Sequence, residues 1–246
     1  MKKINFKNVI EWENFTKKNF ITKLLHENKY FHLDNIVKKF DLANFNILDL
    51  GCGFCESFRV LNNKYNINYL GVENNEDITS RLYERYSDFK NFKVISKSAL
   101  DIDDLKNKHF NFIILFDILE HIDLKNRINL IHKISQFKFD KILINVPNEV
   151  GLSILMKNFG SMIMGYERYK EYTMKETISS FLGKLEDLDP HFDQHKGFDW
   201  RVLKYILHYY FIIDNIHTNL RGLLPKSISP SIFFECSFRN LMHLKL

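Results

Sequence analysis

A turn with two glycines follows a short apolar run near residue 50, and its residues suit the binding of a nucleotide-like ligand. Asp49 precedes Gly51 and Gly53 in the stretch NILDLGCGFCE, and Glu73 ends a second apolar run. Glycines let the backbone approach a ligand closely, and the helix expected after the turn offers unpaired N–H groups. A carboxylate at the end of the second strand can accept hydrogen bonds from both ribose hydroxyls. The spacing therefore predicts a site for a ligand that contains ribose.

Three classes of ligand use such a turn, and the neighbouring residues distinguish them. A phosphate-binding loop needs G-x-x-x-x-G-K-[ST], which the sequence lacks at this turn. A dinucleotide fingerprint, G-x-G-x-x-G, would need glycine at position 56, where Glu56 would repel a pyrophosphate. An acid just before the glycines, such as Asp49, instead suits a ligand with positive charge. The ammonium and sulfonium groups of S-adenosylmethionine are such charges.

The elements that must position these residues follow an alternating pattern. From residue 46 onward, short apolar runs alternate with charged amphipathic stretches, which is typical of βα units around a parallel sheet. The pattern predicts strands at 47–50, 69–73, 93–96, 112–116 and 141–146, and helices at 56–64, 76–86 and 124–137. A helix at 200–208 and strands at 211–218 and 232–238 are expected near the end. Apolar residues at helical spacing predict two or three helices within residues 1–45.

The 246 residues are expected to form a single domain with four parts. These are N-terminal helices at 1–45, a cofactor-binding core at 46–148, a helical cap insertion at 149–196, and a final helix and strand pair at 197–246. The composition, 45% hydrophobic and 26% charged, excludes a disordered chain or a coiled coil.

The net charge and the number of cysteines limit which binding partners and which cellular compartment are expected. The net charge of +5 is mild, and a dedicated nucleic-acid binder would carry a denser basic stripe. Three cysteines are too few for a disulfide scaffold, so free thiols in a reducing compartment are expected. No signal peptide and no apolar run of about 18 residues is visible, which predicts a cytoplasmic protein without membrane contact.

Four segments together resemble the class I S-adenosylmethionine-dependent methyltransferases. Residues 47–53 (ILDLGCG) resemble the first motif of that family, and residues 69–73 (YLGVE) resemble the second. Residues 110–122 (FNFIILFDILEHI) resemble the fourth-strand segment of its small-molecule branch, the ubiquinone/menaquinone-biosynthesis type. Residues 141–148 (KILINVPN) resemble the fifth strand of that branch.

The resemblance implies an α/β, Rossmann-like class I methyltransferase fold. The sheet would have seven mostly parallel strands with an antiparallel last strand. S-adenosylmethionine would be the cofactor, no metal would be required, and a methyl group would pass in line to a nucleophilic atom. The resemblance implies that Asp49, Gly51 and Gly53 hold the methionine part of the cofactor and that Glu73 holds its ribose. Asn74 and Ala99 would lie around the adenine. Phe116 and Asp117 would border the cofactor and the acceptor.

Three positions depart from the family pattern. Cys55 stands where the family has a third glycine, and Ser98 stands where an acid often lies near the adenine. Asn111 replaces the acid that commonly starts the fourth strand. Cys52 and Cys55 also form a C-x-x-C pair, so a redox role and a cysteine-based zinc site are open alternatives.

The catalytic candidates are histidines. His195 lies in an H-x-G-F-D-W-R segment that similar methyltransferases carry near the methyl group, and it is the predicted general base. Histidine side chains ordinarily titrate at about pH 6.5, which suits proton removal near neutrality. His121 is the second candidate. Glu120 and His121 either line the acceptor pocket or are a helix-start carboxylate and a solvated histidine. A metal on His191 and His195 is disfavoured, because flanking Pro190 and Gly197 predict a loop.

The expected acceptor is a small anionic molecule that is methylated on a hydroxyl oxygen. Asp199 is expected to cap the 200–208 helix. The positive charge and a cap that carries Lys157, Arg168, Lys170 and Lys175 suggest a phosphorylated or nucleotide-linked sugar, such as a surface-polysaccharide precursor. The alternatives are an RNA methyltransferase and a non-catalytic partner protein with the same fold.

Overall fold

Seven strands form one sheet in the computed structural model, which describes residues 20–163, 171–188 and 195–239. In chain order the strands are β1 (Phe45–Leu50), β2 (Ile67–Glu73), β3 (Phe92–Ser96), β4 (His109–Phe116), β5 (Lys138–Pro147), β6 (Phe211–Thr218) and β7 (Ser231–Phe238). Their order across the sheet is β3-β2-β1-β4-β5-β7-β6. Strand β7 pairs antiparallel with both β5 and β6, and the other strand pairs of this sheet are parallel. The predicted fold class, including the antiparallel last strand, is confirmed.

Seven α-helices surround the sheet in the described part of the chain. They are α1 (Phe20–Val37), α2 (Glu56–Asn62), α3 (Glu76–Tyr86), α4 (Leu124–Ser135), α5 (Leu152–Ile163), α6 (Met174–Phe181) and α7 (Trp200–Tyr210). Short 3₁₀ turns cover Asp103–Leu105, Leu119–His121 and Leu185–Asp187. None of the helices within these ranges combines the length and the apolar character that a membrane crossing requires.

The strands bury both faces, and alternate residues belong to two different cores. On β1, Ile47 packs with residues of α1, α2 and α3, whereas Leu48 packs with residues of α4 and α7. Successive side chains of a strand point to opposite faces. Asp49 therefore faces the α1–α3 side of the sheet, and this orientation decides where the candidate site lies.

The predicted elements agree with the observed ones, with small shifts at the ends. Helix α3 and strand β6 have the predicted bounds, and the other strands are longer than predicted by one to four residues. The prediction of two or three N-terminal helices is tested only in part. Within residues 20–45 there is one helix, α1, and residues 1–19 lie outside the described residues. Helices α5 and α6 occupy the predicted cap, while the division of the chain into four parts stays a prediction.

Helix α1 is fastened to the sheet on both sides of the site. His32 Nε2 lies 3.0 Å from the carbonyl oxygen of Thr218 at the end of β6, and the Asn28 side-chain amide donates to the same oxygen at 3.3 Å. The Asp34 carboxylate pairs with Lys64 Nζ at 2.8 Å, just beyond α2. The helix is thereby held across the carboxyl ends of the central strands.

An aromatic cluster between α2, α3 and β2 provides a test of this packing. Phe58 is 1% exposed, and its ring centroid lies 5.3 Å from that of Tyr69 and 4.8 Å from that of Phe92. Because Phe58→Ala would leave a cavity there, we expect a loss of about 3–5 kcal/mol in the free energy of unfolding, measured by urea denaturation. Phe159→Ala is the control, since Phe159 is 62% exposed on α5, and its change should stay within about 0.5 kcal/mol. Equal losses in the two variants would contradict this account.

Candidate functional site

The candidate site lies where the strand order reverses, at the carboxyl ends of β1 and β4. Strand β1 pairs with β2 on one side and with β4 on the other, so the loops after β1 and β4 diverge and leave a crevice. A cavity of about 530 Å³ occupies this position under α1. Sites for small molecules span about 300–1,000 Å³, so the cavity has a suitable size.

The backbone of the glycine turn is hydrogen-bonded to the end of β2, and little space is left for a side chain at Gly51. The amides of Gly51 and Cys52 both donate to the carbonyl oxygen of Val72, at 2.8 and 3.1 Å. Gly51 has φ +67°, and a Cβ there would lie 2.7 Å from Ile118 Cδ1. A Cβ on Gly71 would lie 2.7 Å from Cys52 Sγ. A side chain at Gly51 would have to displace Ile118 and would meet the positive φ, and a side chain at Gly71 would have to displace Cys52.

Gly53 and Glu73 connect the turn to the end of β2. The Gly53 amide donates to Glu73 Oε2 at 3.0 Å, and the Asn75 amide donates to Glu73 Oε1 at 3.0 Å. Gly53 has φ +50°, and no atom lies within 4 Å of the place where its Cβ would be. The carboxylate is thus fixed in place, and each oxygen keeps a lone pair for a further donor such as a hydroxyl.

Asp49 is a buried carboxylate whose charge has little solvent to stabilise it. It is 3% exposed, and the Tyr69 hydroxyl donates to Asp49 Oδ2 at 2.6 Å. Burial raises the pKa of Asp49 to about 6, although hydrogen bonds from Tyr69 and Ser57 act in the opposite direction. Asp49 lines the cavity, so its carboxylate is placed to receive a cationic group.

A lysine of α1 closes the other wall of the cavity. The ammonium of Lys29 forms an ion pair with Asp117 and lies 5.8 Å from the centroid of the Phe116 ring. Burial alone would raise the pKa of Asp117, but the positive charges of Lys29 and His26 lower it to about 2. The Asn145 side-chain amide also donates to Asp117 Oδ1, at 2.5 Å. The Asp117 charge is therefore already neutralised by a partner inside the protein.

Five of the eight predicted cofactor residues line the cavity: Asp49, Gly51, Gly53, Phe116 and Asp117. Glu73 reaches the site through its contact with Gly53. Asn74 is exposed and Ala99 is buried in the core, and neither is among the residues described as lining the cavity. Lys29 and Tyr30 line it as well, and the sequence reasoning missed both. No local motif marks them, since Lys29 meets Asp117 across 88 residues of chain.

Cys55, which stands where the sequence comparison predicts a third glycine, keeps a left-handed backbone conformation. It is fully buried and has φ +55°, a left-handed conformation that few residues other than glycine adopt. The hydrogen bond with the Cys55 thiol, together with burial, raises the pKa of Cys52 well above its usual value. Little thiolate then forms, which disfavours the redox alternative. Cys236 lies apart on β7, so the three thiols do not converge on a zinc site.

A second group of polar side chains lies beyond β4. His195 Nε2 lies 3.1 Å from His121 Nε2 and 3.8 Å from Glu120 Oε1. Glu120 is 2% exposed, and burial together with the Asp117 charge raises its pKa well above the usual value. Glu120 is thus a buried carboxylate ahead of α4, which begins at Leu124, whereas His121 is exposed. Whether the pair lines the acceptor pocket stays a prediction. Neither histidine is among the residues described as lining the 530 Å³ cavity.

The structure of the loop before α7 agrees with the helix cap predicted from the sequence. His195 has φ +64° in a turn, and the Arg201 amide donates to Asp199 Oδ1 at 2.8 Å, so Asp199 caps α7 as predicted. His191 lies outside the described residues.

Comparisons with known proteins identify the fold, and a family profile matches part of the chain. The profile of a family described as a methyltransferase domain matches residues 47–137, which contain the glycine turn, Glu73 and Glu120. Magnesium protoporphyrin IX methyltransferase from Synechocystis PCC 6803, crystallised with bound SAH, is 13% identical with a TM-score of 0.62, and the alignment covers 96% of each chain. The methyltransferase domain of bacterial CtHen1 is 14% identical with a TM-score of 0.60, over 87% of this chain and 100% of that one.

A third solved structure has the same fold. The PH0226 protein from Pyrococcus horikoshii OT3 is 14% identical with a TM-score of 0.59, over 94% of this chain and 99% of that one. No curated protein sequence matches the chain.

Residues 47–137 match a methyltransferase domain, and the chain has the fold of the class I S-adenosylmethionine-dependent methyltransferases, as its first and second motifs predicted. The site fits the cofactor, because Asp49 offers a carboxylate to an ammonium, Gly53 leaves open space, and Glu73 offers oxygens to ribose hydroxyls. The narrower resemblance to the ubiquinone/menaquinone-biosynthesis branch stays a prediction.

The raised pKa of Asp49 predicts how cofactor binding depends on pH. Above pH 6 the carboxylate is ionised and attracts the ammonium, whereas below pH 6 it is mostly protonated and neutral. We therefore expect the dissociation constant of S-adenosylmethionine to rise up to about tenfold between pH 7.5 and pH 5. Calorimetric titration measures this directly. In Asp49→Asn the affinity should be weaker and this dependence should be absent, and a pH-independent affinity in the unmodified protein would refute the assignment.

Proposed function

We propose that the protein transfers a methyl group from S-adenosylmethionine to a hydroxyl oxygen of a small-molecule acceptor. The observation that carries this proposal is the contact of His195 with His121, 3.1 Å between their Nε2 atoms, beside buried Glu120. An imidazole held by polar neighbours is a suitable acceptor for the proton of a hydroxyl group.

The residues of the glycine turn bind and orient the cofactor in this proposal. When bound, S-adenosylmethionine supplies a methyl group on a positively charged sulfur. Asp49 holds the ammonium of the methionine part, Gly53 gives it room, and Glu73 accepts hydrogen bonds from the ribose. Asn74 and Ala99 are proposed for the adenine, although both lie outside the cavity lining. Phe116 and Asp117 border the acceptor side.

His195 takes the proton from the acceptor hydroxyl as the oxygen–carbon bond forms and the sulfur–carbon bond breaks. Holding the two reacting groups in line accounts for much of the rate in such a transfer. Helix α1, fixed by His32 and Asp34, covers one side of the cavity. His121 is the alternative proton acceptor, since its Nε2 is in contact with that of His195.

The acceptor class we propose is a phosphorylated or nucleotide-linked sugar, such as a precursor of a surface polysaccharide. Its support is the net charge of +5 and the exposed Lys175 on α6. Lys157 gives it less support than expected, because Lys157 Nζ pairs with buried Glu149 at 2.8 Å. Arg168 and Lys170 lie outside the described residues. Formation of S-adenosylhomocysteine across a panel of nucleotide sugars tests this class.

Glu73→Ala tests the cofactor assignment. Removing the carboxylate deletes its hydrogen bonds to the ribose and frees the Gly53 amide, so we expect the dissociation constant of S-adenosylmethionine to rise at least tenfold, as measured by calorimetry. Glu84→Ala, at an exposed position of α3, is the matched control and should bind normally. An unchanged affinity in Glu73→Ala would show that the ribose lies elsewhere. Undetectable binding by the unmodified protein at millimolar ligand would favour the non-catalytic alternative.

His195→Ala tests the role of the histidine pair. With an acceptor found in the sugar panel, we expect turnover to fall about 100-fold or more, because proton transfer loses its acceptor, while S-adenosylmethionine still binds. His208→Ala, at an exposed position of α7, serves as the control and should retain turnover. Normal turnover in His195→Ala would remove His195 from the reaction.

A further inference from the structure

Three side chains from two distant segments converge just beyond β4. Glu120 and His121 lie in the 3₁₀ turn Leu119–His121, and His195 lies in the turn that precedes α7. One ligating atom from each residue lies within 4.8 Å of the other two. His195 has a positive φ of +64°, and its ring centroid lies 4.6 Å from that of His121.

Glu120 lacks the hydrogen-bond partners that a buried carboxylate needs. Both of its oxygens are buried, and neither accepts a hydrogen bond from the described residues. The nearby guanidinium of Arg127 is directed elsewhere, since it donates to the carbonyl oxygens of Leu119 and Ile122, each at 2.8 Å. Asp117, three residues earlier, adds a further negative charge. An unpaired charge in such a place is costly unless a cation joins it.

The spacing of the two imidazoles suits a metal ion. Their Nε2 atoms are 3.1 Å apart, and neighbouring ligands of a divalent ion with metal–nitrogen bonds of about 2.0–2.1 Å lie about 3.0–3.4 Å apart. Two histidines and one carboxylate are a common donor set for zinc and for ferrous iron, and they leave further coordination positions open. We propose that Glu120, His121 and His195 bind a divalent transition-metal ion.

The location of this site suggests what the ion would act on. The two residues before this turn are Ile118, which lies against Gly51 of the cofactor turn, and Asp117, which lines the cavity. This part of the inference rests on the proposed function. The ion would bind an oxygen of the acceptor through an open position and lower the pKa of its hydroxyl group. The proton would then pass to water, because both Nε2 lone pairs are taken by the metal.

Such a site favours acceptors with two adjacent oxygens, such as a vicinal diol, since both can reach open positions of one ion. In the metal-bound protein, His195 and His121 are ligands. The ion then activates the acceptor hydroxyl, which His195 does as a base in the metal-free scheme.

Calorimetric titration of the full chain with Zn²⁺ alone, after treatment with a chelator, tests the site. We expect one binding event of about 1:1 stoichiometry, weakened at least tenfold in Glu120→Gln and in His195→Ala. His109→Ala is the matched control, because His109 is exposed and has its own carboxylate neighbour, Asp140, at 3.3 Å. It should bind Zn²⁺ like the unmodified protein. Visible absorption of Co²⁺, which reports the coordination geometry of the ion, should show the same pattern.

The outcomes separate this inference from the proposed function. The circular-dichroism spectrum of each variant, compared with that of the unmodified protein, shows that the variant is folded. Zn²⁺ binding that is absent, or that is equal in the unmodified protein, Glu120→Gln and His195→Ala, would overturn the metal site even if the cofactor binds. Zn²⁺ binding that depends on these residues would support it even if S-adenosylmethionine does not bind. Turnover that survives removal of all metal would return His195 to the role of base.

Discussion

The position of the glycine turn on the end of β2 is the constraint on which the site depends. The carbonyl oxygen of Val72 accepts the amides of both Gly51 and Cys52, and the Glu73 carboxylate accepts the Gly53 amide. These three hydrogen bonds fix a segment whose glycines would otherwise leave it free. The same strand provides Tyr69, whose hydroxyl holds Asp49. One strand therefore positions both the carboxylate proposed for the ammonium and the carboxylate proposed for the ribose.

The two carboxylates that line the cavity differ in their partners: Asp117 has a cationic partner inside the protein, and Asp49 has hydrogen bonds from neutral groups. Lys29 and Asp117 form an ion pair inside the protein, and the lowered pKa of Asp117 reflects the stability of its charge. Asp49 has hydrogen bonds from neutral donors, and burial raises its pKa to about 6. A ligand that brings an ammonium gains more at Asp49 than at Asp117, because at Asp117 it would compete with a lysine already in place.

The fold could be predicted from the sequence because its signals are local. The glycine turn, the carboxylate at the end of the second strand and the alternation of apolar runs each lie within a few residues, and all seven strands follow from them. The contribution of helix α1 to the wall of the cavity could not be predicted, because Lys29 contacts Asp117 across 88 residues of chain. The contact between His121 and His195 spans 74 residues. The sequence marked both histidines as candidates, but their meeting depends on how the loops after β4 and before α7 fold toward each other.

The four residues after β4 connect the two parts of the site. Asp117 faces the cavity, Ile118 packs on Gly51, and Glu120 faces the two histidines. A side chain at position 51 would press on Ile118, because its Cβ would lie 2.7 Å from Ile118 Cδ1. The glycine therefore does more than make room for a ligand: it sets how closely the loop that carries Glu120 approaches the cofactor turn. Since methyl transfer needs donor and acceptor in line within a few ångströms, this contact couples the geometry of the cofactor site to that of the site where the acceptor is proposed to bind.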